Sequence, residues 1–212
     1  MEQYLYIIPA ALIAIMCHEL CHGLASHLLG DPTPKEQGRL SLNPLKHLDL
    51  MGTLCLIFFQ FGWAKPVQVD PRYYKNPKWG MALVALAGPL ANFIIAFIAG
   101  LIYVLIYKYA PYTELIEVIL YFVTYLMVIN IGLGVFNLIP IPPLDGSKIV
   151  GAILPNEAYH QYMKYQKYGM FFIFGLLILL DVLASLGYPS LLSEFVDNII
   201  NFILNFWIKV FN

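Results

Sequence analysis

Long runs of apolar residues, separated by short polar segments, are the dominant pattern of this chain. Five of the runs reach the roughly 20 residues that a helix needs to cross the hydrocarbon core of a bilayer. This pattern predicts an all-α polytopic membrane protein with about five transmembrane helices. The runs span residues 3–29, 80–107, 117–138, 169–187 and 190–211.

A sixth apolar run, residues 50–63, is too short to cross a bilayer easily and predicts a re-entrant or interfacial segment. The polar segments 30–49 and 64–79 contain short alternating stretches bounded by proline and glycine. Such stretches predict brief β-strands, which we expect on the cytoplasmic side. An exposed edge of such a strand would accept an extended peptide.

The basic residues indicate an orientation. If residues 50–63 enter and leave on the same side, eleven of the 12 lysines and arginines share one side and only Lys108 lies opposite. If that run crossed the membrane, the division would be eight to four. The first arrangement fits the positive-inside rule better. We therefore expect a protein of the cell (plasma or inner) membrane, with its N-terminus outside and its C-terminus and any active-site opening in the cytoplasm.

Composition supports the membrane assignment independently. Of the 212 residues, 60% are apolar and 12% are charged, whereas about a quarter of a soluble domain is charged. The net charge of -1 gives no reason to expect a nucleic acid partner. We expect one membrane-embedded domain over residues 1–212, with a core at about 3–155 and C-terminal helices at about 168–211. Nothing indicates the oligomeric state.

The most informative polar residues are His18, Glu19 and His22, which interrupt the first apolar run. On a helix, two histidines four residues apart project from nearly the same face. The spacing HExxH is typical of zinc hydrolases, in which the histidines bind the metal and the glutamate acts as general base. Ionisable residues at membrane depth are costly and indicate function. The alternative is that these polar residues are packed inside a helix bundle and have no catalytic function.

A catalytic zinc normally has three protein ligands and a water. Asp145 is the best candidate for the third, because it follows a helix that ends near Leu138 and three prolines that break it. In the five-helix topology, Asp145 and HExxH approach the same side of the membrane. Considered alone, Asp145 with Gly146 would more often be a simple turn pair.

Taken in order, the motifs of this chain resemble those of the site-2 protease (M50) family of intramembrane zinc metalloproteases, in its short branch without PDZ or CBS domains. The similarity extends over residues 14–155. It is carried by His18-Glu19-x-x-His22, Gly38-Arg39, Leu42-Asn43-Pro44, His47, Gly62-Trp63-Ala64-Lys65-Pro66-Val67, Ala87-Gly88-Pro89-Leu90-Ala91-Asn92 and Asn137-x-x-Pro140-x-Pro142-Pro143-Leu144-Asp145-Gly146.

The resemblance implies one Zn²⁺ per chain, held by His18, His22 and Asp145, with Glu19 as general base. It also implies that Asn137 orients the substrate carbonyl or stabilises the oxyanion. The implied function is an intramembrane zinc endopeptidase, embedded in the lipid bilayer, that hydrolyses peptide bonds in or near transmembrane segments of membrane-protein substrates, in regulated intramembrane proteolysis.

Several points stay open at this stage. Asn92 and His47 could support the metal site or position substrate, although Asn92 could equally serve only a hydrogen bond between helices. Asp181 is an intramembrane carboxylate of unassigned role. Two alternative functions are a metal or ion permease and a non-catalytic zinc-binding membrane chaperone. A permease would not need the Glu19 base.

Overall fold

The structure of the protein is a computed structural model, which describes residues 3–47, 49, 51–52, 65–188 and 190–212. Except for residues 51–52, the predicted re-entrant segment at 50–63 lies outside these residues, and so do the Gly62-Trp63-Ala64 part of the family pattern and the side chain of Asp181. The described residues form α1 (Tyr4–Leu28), α2 (Thr33–Glu36), α3 (Pro77–Tyr109), α4 (Glu114–Asn137), α5 (Asp145–Ile153), α6 (Asn156–Lys164), α7 (Gln166–Ser185) and α8 (Leu191–Phe211), with short 3-10 turns at Pro44–Lys46 and Pro71–Tyr73.

The prediction of a helical membrane protein is confirmed. Among the described residues, four helices are long and apolar enough to cross a membrane: α1, α3, α4 and α7. The fifth predicted run also forms a helix, α8, but it carries Glu194, Asp197 and Lys209 and is not among these four. The long helices begin at capping side chains. Asn76 accepts a hydrogen bond from the amide of Trp79, and Thr113 accepts one from the amide of Ile116.

Helices α1, α3 and α4 form the bundle that carries the polar motifs. The ring of Tyr6 stacks on that of Tyr125, with centroids 6.1 Å apart, and further along both helices Asn92 bonds Ala14 of α1 and Asn130 of α4, so α1 and α4 run in the same direction. Helix α3 runs in the opposite direction between them, as predicted. Away from the polar motifs, small and apolar side chains of α3, α4 and α8 form a buried core: Ala96, Ala99, Val123, Met127, Ile131, Val196 and Ile203.

The predicted direction of the last helix is wrong. The topology drawn from the sequence makes α8 antiparallel to α3, but the indole nitrogen of Trp207 donates to the carbonyl of Phe97 at 3.0 Å. The ammonium of Lys108, near the end of α3, bonds the carbonyl of Phe211. The two helices therefore run in parallel. The C-terminus lies at the end of the bundle opposite the HExxH motif, and Lys209 joins Lys108 there.

The predicted β-strands are also wrong, because the described residues contain no strand. Residues 65–70 have no regular secondary structure, and two of their amides donate to carboxylates instead of a neighbouring strand. The amide of Val67 donates to Glu19 at 2.9 Å, and that of Asp70 donates to Asp31 at 2.7 Å. Residues 41–47 turn back on themselves, since Asn43 caps the turn at Pro44–Lys46. The alternation of apolar residues is therefore present, but within the described part of the chain no strand pairs with it.

Candidate metal centre

The two histidines of the HExxH motif lie one turn apart on the inward face of α1. His18 and His22 are 5% and 9% exposed, and their ring centroids are 4.5 Å apart. Helical spacing alone accounts for this pairing, because residues four apart on a helix are neighbours. The two Nε2 atoms lie 3.0 Å from each other.

Asp145 completes the cluster from the other side of the bundle. It is the first residue of α5 and is buried, and one of its oxygens, Oδ2, lies 3.2 Å from Nε2 of His18 and 3.1 Å from Nε2 of His22. The loop between α4 and α5 packs tightly against Gly146, the second residue of α5, where a Cβ would lie 2.2 Å from the carbonyl oxygen of Leu138. Only glycine fits there, which explains the Asp-Gly pair.

Hydrogen bonds to the far side of each imidazole determine which nitrogen faces the cluster. Nδ1 of His18 donates to the side-chain oxygen of Asn92 at 2.6 Å, and Nδ1 of His22 donates to the carbonyl of Val84 at 2.7 Å. With Nδ1 protonated, each neutral ring presents the lone pair of Nε2. Two such lone pairs and a carboxylate oxygen thus converge within hydrogen-bonding distance. They repel one another unless a cation lies between them, so this donor set fits a metal such as zinc.

The orientation of Asn92 follows from a second amide. Its side-chain nitrogen donates to the carbonyl of Ala14 at 3.1 Å and to the side-chain oxygen of Asn130 at 2.8 Å, which leaves its oxygen for His18. Asn130 in turn donates to the carbonyl of Leu126 at 2.8 Å. Both asparagines are fully buried. Asn92 therefore bonds His18 of the candidate site as well as the neighbouring helices α1 and α4.

Sequence reasoning missed Asn130. The signal was available, because an amide in the middle of an apolar helix is as unusual there as the histidines of α1. Its partner Asn92 was considered because it belongs to the Gly88–Asn92 motif. Gly88 also has a local role: a Cβ at this position would lie 2.5 Å from Nε2 of His22 and 2.7 Å from Cε1 of His18. Helix α3 can approach the two imidazoles only because this residue has no side chain.

Glu19 lies beside the cluster and is oriented by the backbone. Its Oε2 accepts a hydrogen bond from the amide of Val67, which belongs to the segment 65–70. This leaves the other carboxylate oxygen available to a water or substrate. The far end of the same segment is fixed by the Asp31 contact to Asp70. Segment 65–70 is thus attached to the α1 region at two points, one of which is the predicted base.

Asp31 is a buried residue whose carboxylate accepts hydrogen bonds from three other residues. Its carboxylate accepts hydrogen bonds from the hydroxyl of Ser26 at 2.6 Å and from the amides of Thr33 and Asp70 at 2.9 and 2.7 Å. The Tyr74 hydroxyl bonds the Ser26 hydroxyl. Burial alone would raise the pKa of Asp31, but the hydrogen bonds from Ser26, Thr33 and Asp70 outweigh it and lower that pKa below its ordinary value. Sequence reasoning did not single out this residue.

A cavity of about 500 Å³ opens onto the cluster. Asn137 lines it at the end of α4, and its side-chain nitrogen donates to the carbonyl of Leu133 at 3.0 Å. Lys148 also lines it, with its ammonium 3.0 Å from Oδ1 of Asp145. Apolar side chains form much of the remaining wall: Ile15, Pro66, Val67, Val69, Met81, Val84, Leu133, Phe136, Pro143, Leu144 and Ile173.

The remaining sequence candidates lie outside the cluster. Among the described residues, the group of potential metal ligands within 4.8 Å of one another is His18, His22 and Asp145. His47 is buried in the loop that follows α2, where its Nε2 contacts the carbonyl of Ser41 at 2.8 Å. Cys17 and Cys21 are free and half-buried. Cys55, the third cysteine of the chain, lies outside the described residues.

Comparison with known proteins gives a consistent result. The model of peptidase family M50 matches residues 104–180, which include Asn137 and Asp145. A protein of Bacillus subtilis named "Putative zinc metalloprotease YwhC" is 39% identical over 157 residues, which cover 71% of this chain and 69% of that protein. No solved structure matches the chain.

Two further relatives are more distant. The protein named "Putative zinc metalloprotease Rip2" of Mycolicibacterium smegmatis is 30% identical over 161 residues, or 72% of this chain and 58% of that protein. The "Zinc metalloprotease MJ0392" of Methanocaldococcus jannaschii is 36% identical over 90 residues, which cover 42% of this chain and 24% of that protein. With helices able to span a membrane and a relative matched over two thirds of its length, the chain belongs to peptidase family M50.

Proposed function

We propose that this protein is an intramembrane zinc endopeptidase that cleaves transmembrane segments of membrane-protein substrates. The observation that carries the proposal is the convergence of His18, His22 and Asp145, with Glu19 beside them, at the wall of an open cavity. The names of these relatives contain the words zinc metalloprotease, which supports zinc as the metal.

In this proposal His18, His22 and Asp145 hold the zinc through Nε2, Nε2 and Oδ2. When bound, the metal would lower the pKa of a water to about 7 and polarise the scissile carbonyl. Asn92 and the Val84 carbonyl keep both imidazoles in the tautomer that presents Nε2. Gly88 leaves the space that the two rings occupy.

The chain's own residues would move the protons. Glu19 accepts a proton from the attacking water and delivers it to the nitrogen of the departing amine. The amide of Val67 holds one oxygen of Glu19, so the other faces the reaction. Asn137 lies on the cavity wall, where one N–H bonds its own helix and the other can donate to the oxygen that gains negative charge in the tetrahedral intermediate.

Substrate would enter as a locally unwound segment. A helix hides its amides in hydrogen bonds to the carbonyls four residues earlier, so the scissile bond is exposed only where the helix opens. The apolar wall of the cavity suits side chains from a membrane helix. We therefore expect substrates with helix-weakening residues near the cleaved bond. Replacing those residues with leucine should slow cleavage, and equal rates would contradict this expectation.

The permease alternative receives no comparable support. An ion would have to continue from the cluster to the opposite end of the bundle. Within the described residues, the interior beyond Asn130 is an apolar core that includes Ala99, Val123 and Met127. Such a core offers no polar groups to a hydrated or coordinated ion.

The proposal is tested with purified full-length protein reconstituted in lipid vesicles and a reporter protein that contains one transmembrane helix. Wild-type protein should cleave the reporter, lose the activity to a strong zinc chelator and regain it with added zinc. His22→Ala and Asp145→Ala should bind less than stoichiometric zinc and should not cleave. Thr124→Val, on α4 and outside the cavity lining, serves as the control. Chelator-resistant cleavage would contradict the proposal.

A further inference from the structure

Asp145 has a different partner at each carboxylate oxygen. Oδ2 faces the two imidazoles, whereas Oδ1 accepts a hydrogen bond from the ammonium of Lys148 at 3.0 Å. Among the described residues that line the cavity, Lys148 is the only lysine or arginine. The arrangement needs explanation, because a lone carboxylate beside a divalent cation can bind it through one oxygen or both.

The lysine reaches Asp145 because of the way α5 begins. Asp145 is the first residue of this helix, so a side chain three positions later lies on the same face. The side chain of Lys148 is 33% exposed, whereas that of Asp145 is 8% exposed. The ammonium therefore keeps contact with water in the cavity while it holds the buried carboxylate. A charge-assisted hydrogen bond of this kind is stronger than a neutral one.

We propose that Lys148 is a positioning residue that restricts Asp145 to a single oxygen donor toward the metal. This inference rests on the proposed function of the site. With Oδ1 held by Lys148, the chain contributes three donor atoms, one each from His18, His22 and Asp145. Three protein donors leave a fourth position for water, as a catalytic zinc requires.

Removal of the lysine should change this count. Oδ1 would be released and could turn toward the metal, so that Asp145 supplies two donors and the position for water becomes crowded. Loss of a nearby positive charge should at the same time make the site more attractive to a cation. The inference therefore predicts lower activity together with metal binding that is equal or tighter. A purely structural role would weaken both.

The test uses full-length protein loaded with Co²⁺, whose visible absorption is intense in a four-coordinate site and several-fold weaker when the coordination number rises. Lys148→Met keeps the length of the side chain but removes its charge and its donors. Lys148→Arg keeps both. Lys164→Met, at an exposed position of α6, is the matched control. Lys148→Gln is measured alongside in case the methionine variant does not fold.

We expect Lys148→Met or Lys148→Gln to bind Co²⁺ at least as tightly as wild type. The visible absorption of its Co²⁺ form should be several-fold weaker than that of wild type. Its zinc form should cleave the reporter at least about 10-fold more slowly than the wild-type zinc form. The Lys148→Arg and Lys164→Met variants should resemble wild type. An unchanged Co²⁺ spectrum in Lys148→Met and Lys148→Gln would overturn the role of Lys148 but not the proposed function. A parallel loss of metal affinity and activity would do the same. Failure of wild-type protein to bind any metal would overturn the proposed function as well.

Discussion

The side-chain oxygen of Asn92 lies 2.6 Å from Nδ1 of His18, the shortest of the hydrogen bonds that reach the two imidazoles. This bond connects α3 to the HExxH helix and fixes which nitrogen of His18 faces Asp145. Because Asn92 is oriented by Asn130, three helices contribute to the position of one imidazole. Such supporting bonds raise the basicity of a ligand and restrict its rotation.

Asn92→Leu should therefore reduce zinc affinity by about 10- to 100-fold, the usual effect of removing a partner of a metal-binding histidine. Asn130→Leu should have a smaller effect of the same sign, since Asn92 keeps its bond to Ala14. Competition with a chromogenic chelator measures both affinities. Equal affinity in wild type and Asn92→Leu would show that His18 does not depend on this bond.

Gly88 provides a steric test of the same site. In Gly88→Ala the new methyl group would lie 2.5 Å from Nε2 of His22, so at least one imidazole must move. We expect loss of stoichiometric zinc and of cleavage. Gly132→Ala is the matched control, because a Cβ at that helical position meets nothing within 4 Å and alanine favours a helix by up to about 1 kcal/mol. Retention of zinc by Gly88→Ala would contradict the close approach of α3.

The bond between Val67 and Glu19 predicts a difference between two substitutions at one position. Val67→Pro removes the N–H that holds Glu19, whereas Val67→Ala keeps it. The cleavage rate of the proline variant should fall about 10-fold or more. Its zinc content should not change, because the substitution leaves the metal donors in place. The alanine variant should stay close to wild type. Zinc analysis and initial rates on the reporter measure the two effects, and equal rates would remove the orienting role of this amide.

Asp31 predicts a pH dependence of stability. Its pKa is lowered in the folded protein, so it stabilises the fold fully above its unfolded value of about 3.9. That contribution is lost as the pH falls from this value through the lower folded pKa. Asp31→Asn should have a lower melting temperature than wild type at neutral pH, and the difference should shrink below about pH 4. Thermal unfolding in detergent measures the difference.

Asp197→Asn, at an exposed position of α8, is the control for this series and should match wild type throughout. A difference between Asp31→Asn and wild type that stays constant down to strongly acidic pH would contradict the prediction. Such a result would mean that the amide disturbs the Ser26 and Asp70 contacts by shape and not by charge.

Much of the site could be predicted from the sequence because its chemistry is carried by short motifs. HExxH fixes the relation of His18 to His22 through helix geometry alone, and the prolines before Asp145 indicate where a helix must end. The supporting residues lack such a pattern. Lys148 lies three residues after Asp145, but this matters only if α5 begins at Asp145, which the sequence does not show.

The positions of the long helices could be predicted from the sequence, whereas the direction of α8 and the structure of residues 65–70 could not. Apolar runs of sufficient length fixed α1, α3, α4 and α7. The direction of α8 depends on side-chain packing, such as that of Trp207 against Phe97, which lies 110 residues away in the chain. Residues 65–70 have the alternation of a strand, but the carboxylates of Glu19 and Asp31 take two of their amides. Long-range contacts of this kind leave no local signature.

The most direct test of the account is zinc content measured together with cleavage of the transmembrane reporter, in wild type and Glu19→Gln. Glu19 lies beside the three metal donors but is not one of them in the proposed site, and glutamine preserves its shape. We predict stoichiometric zinc in both proteins and a loss of cleavage of about 100-fold or more in the variant, because the general base is removed. Cleavage by Glu19→Gln at the wild-type rate, or wild-type protein without zinc, would contradict the account.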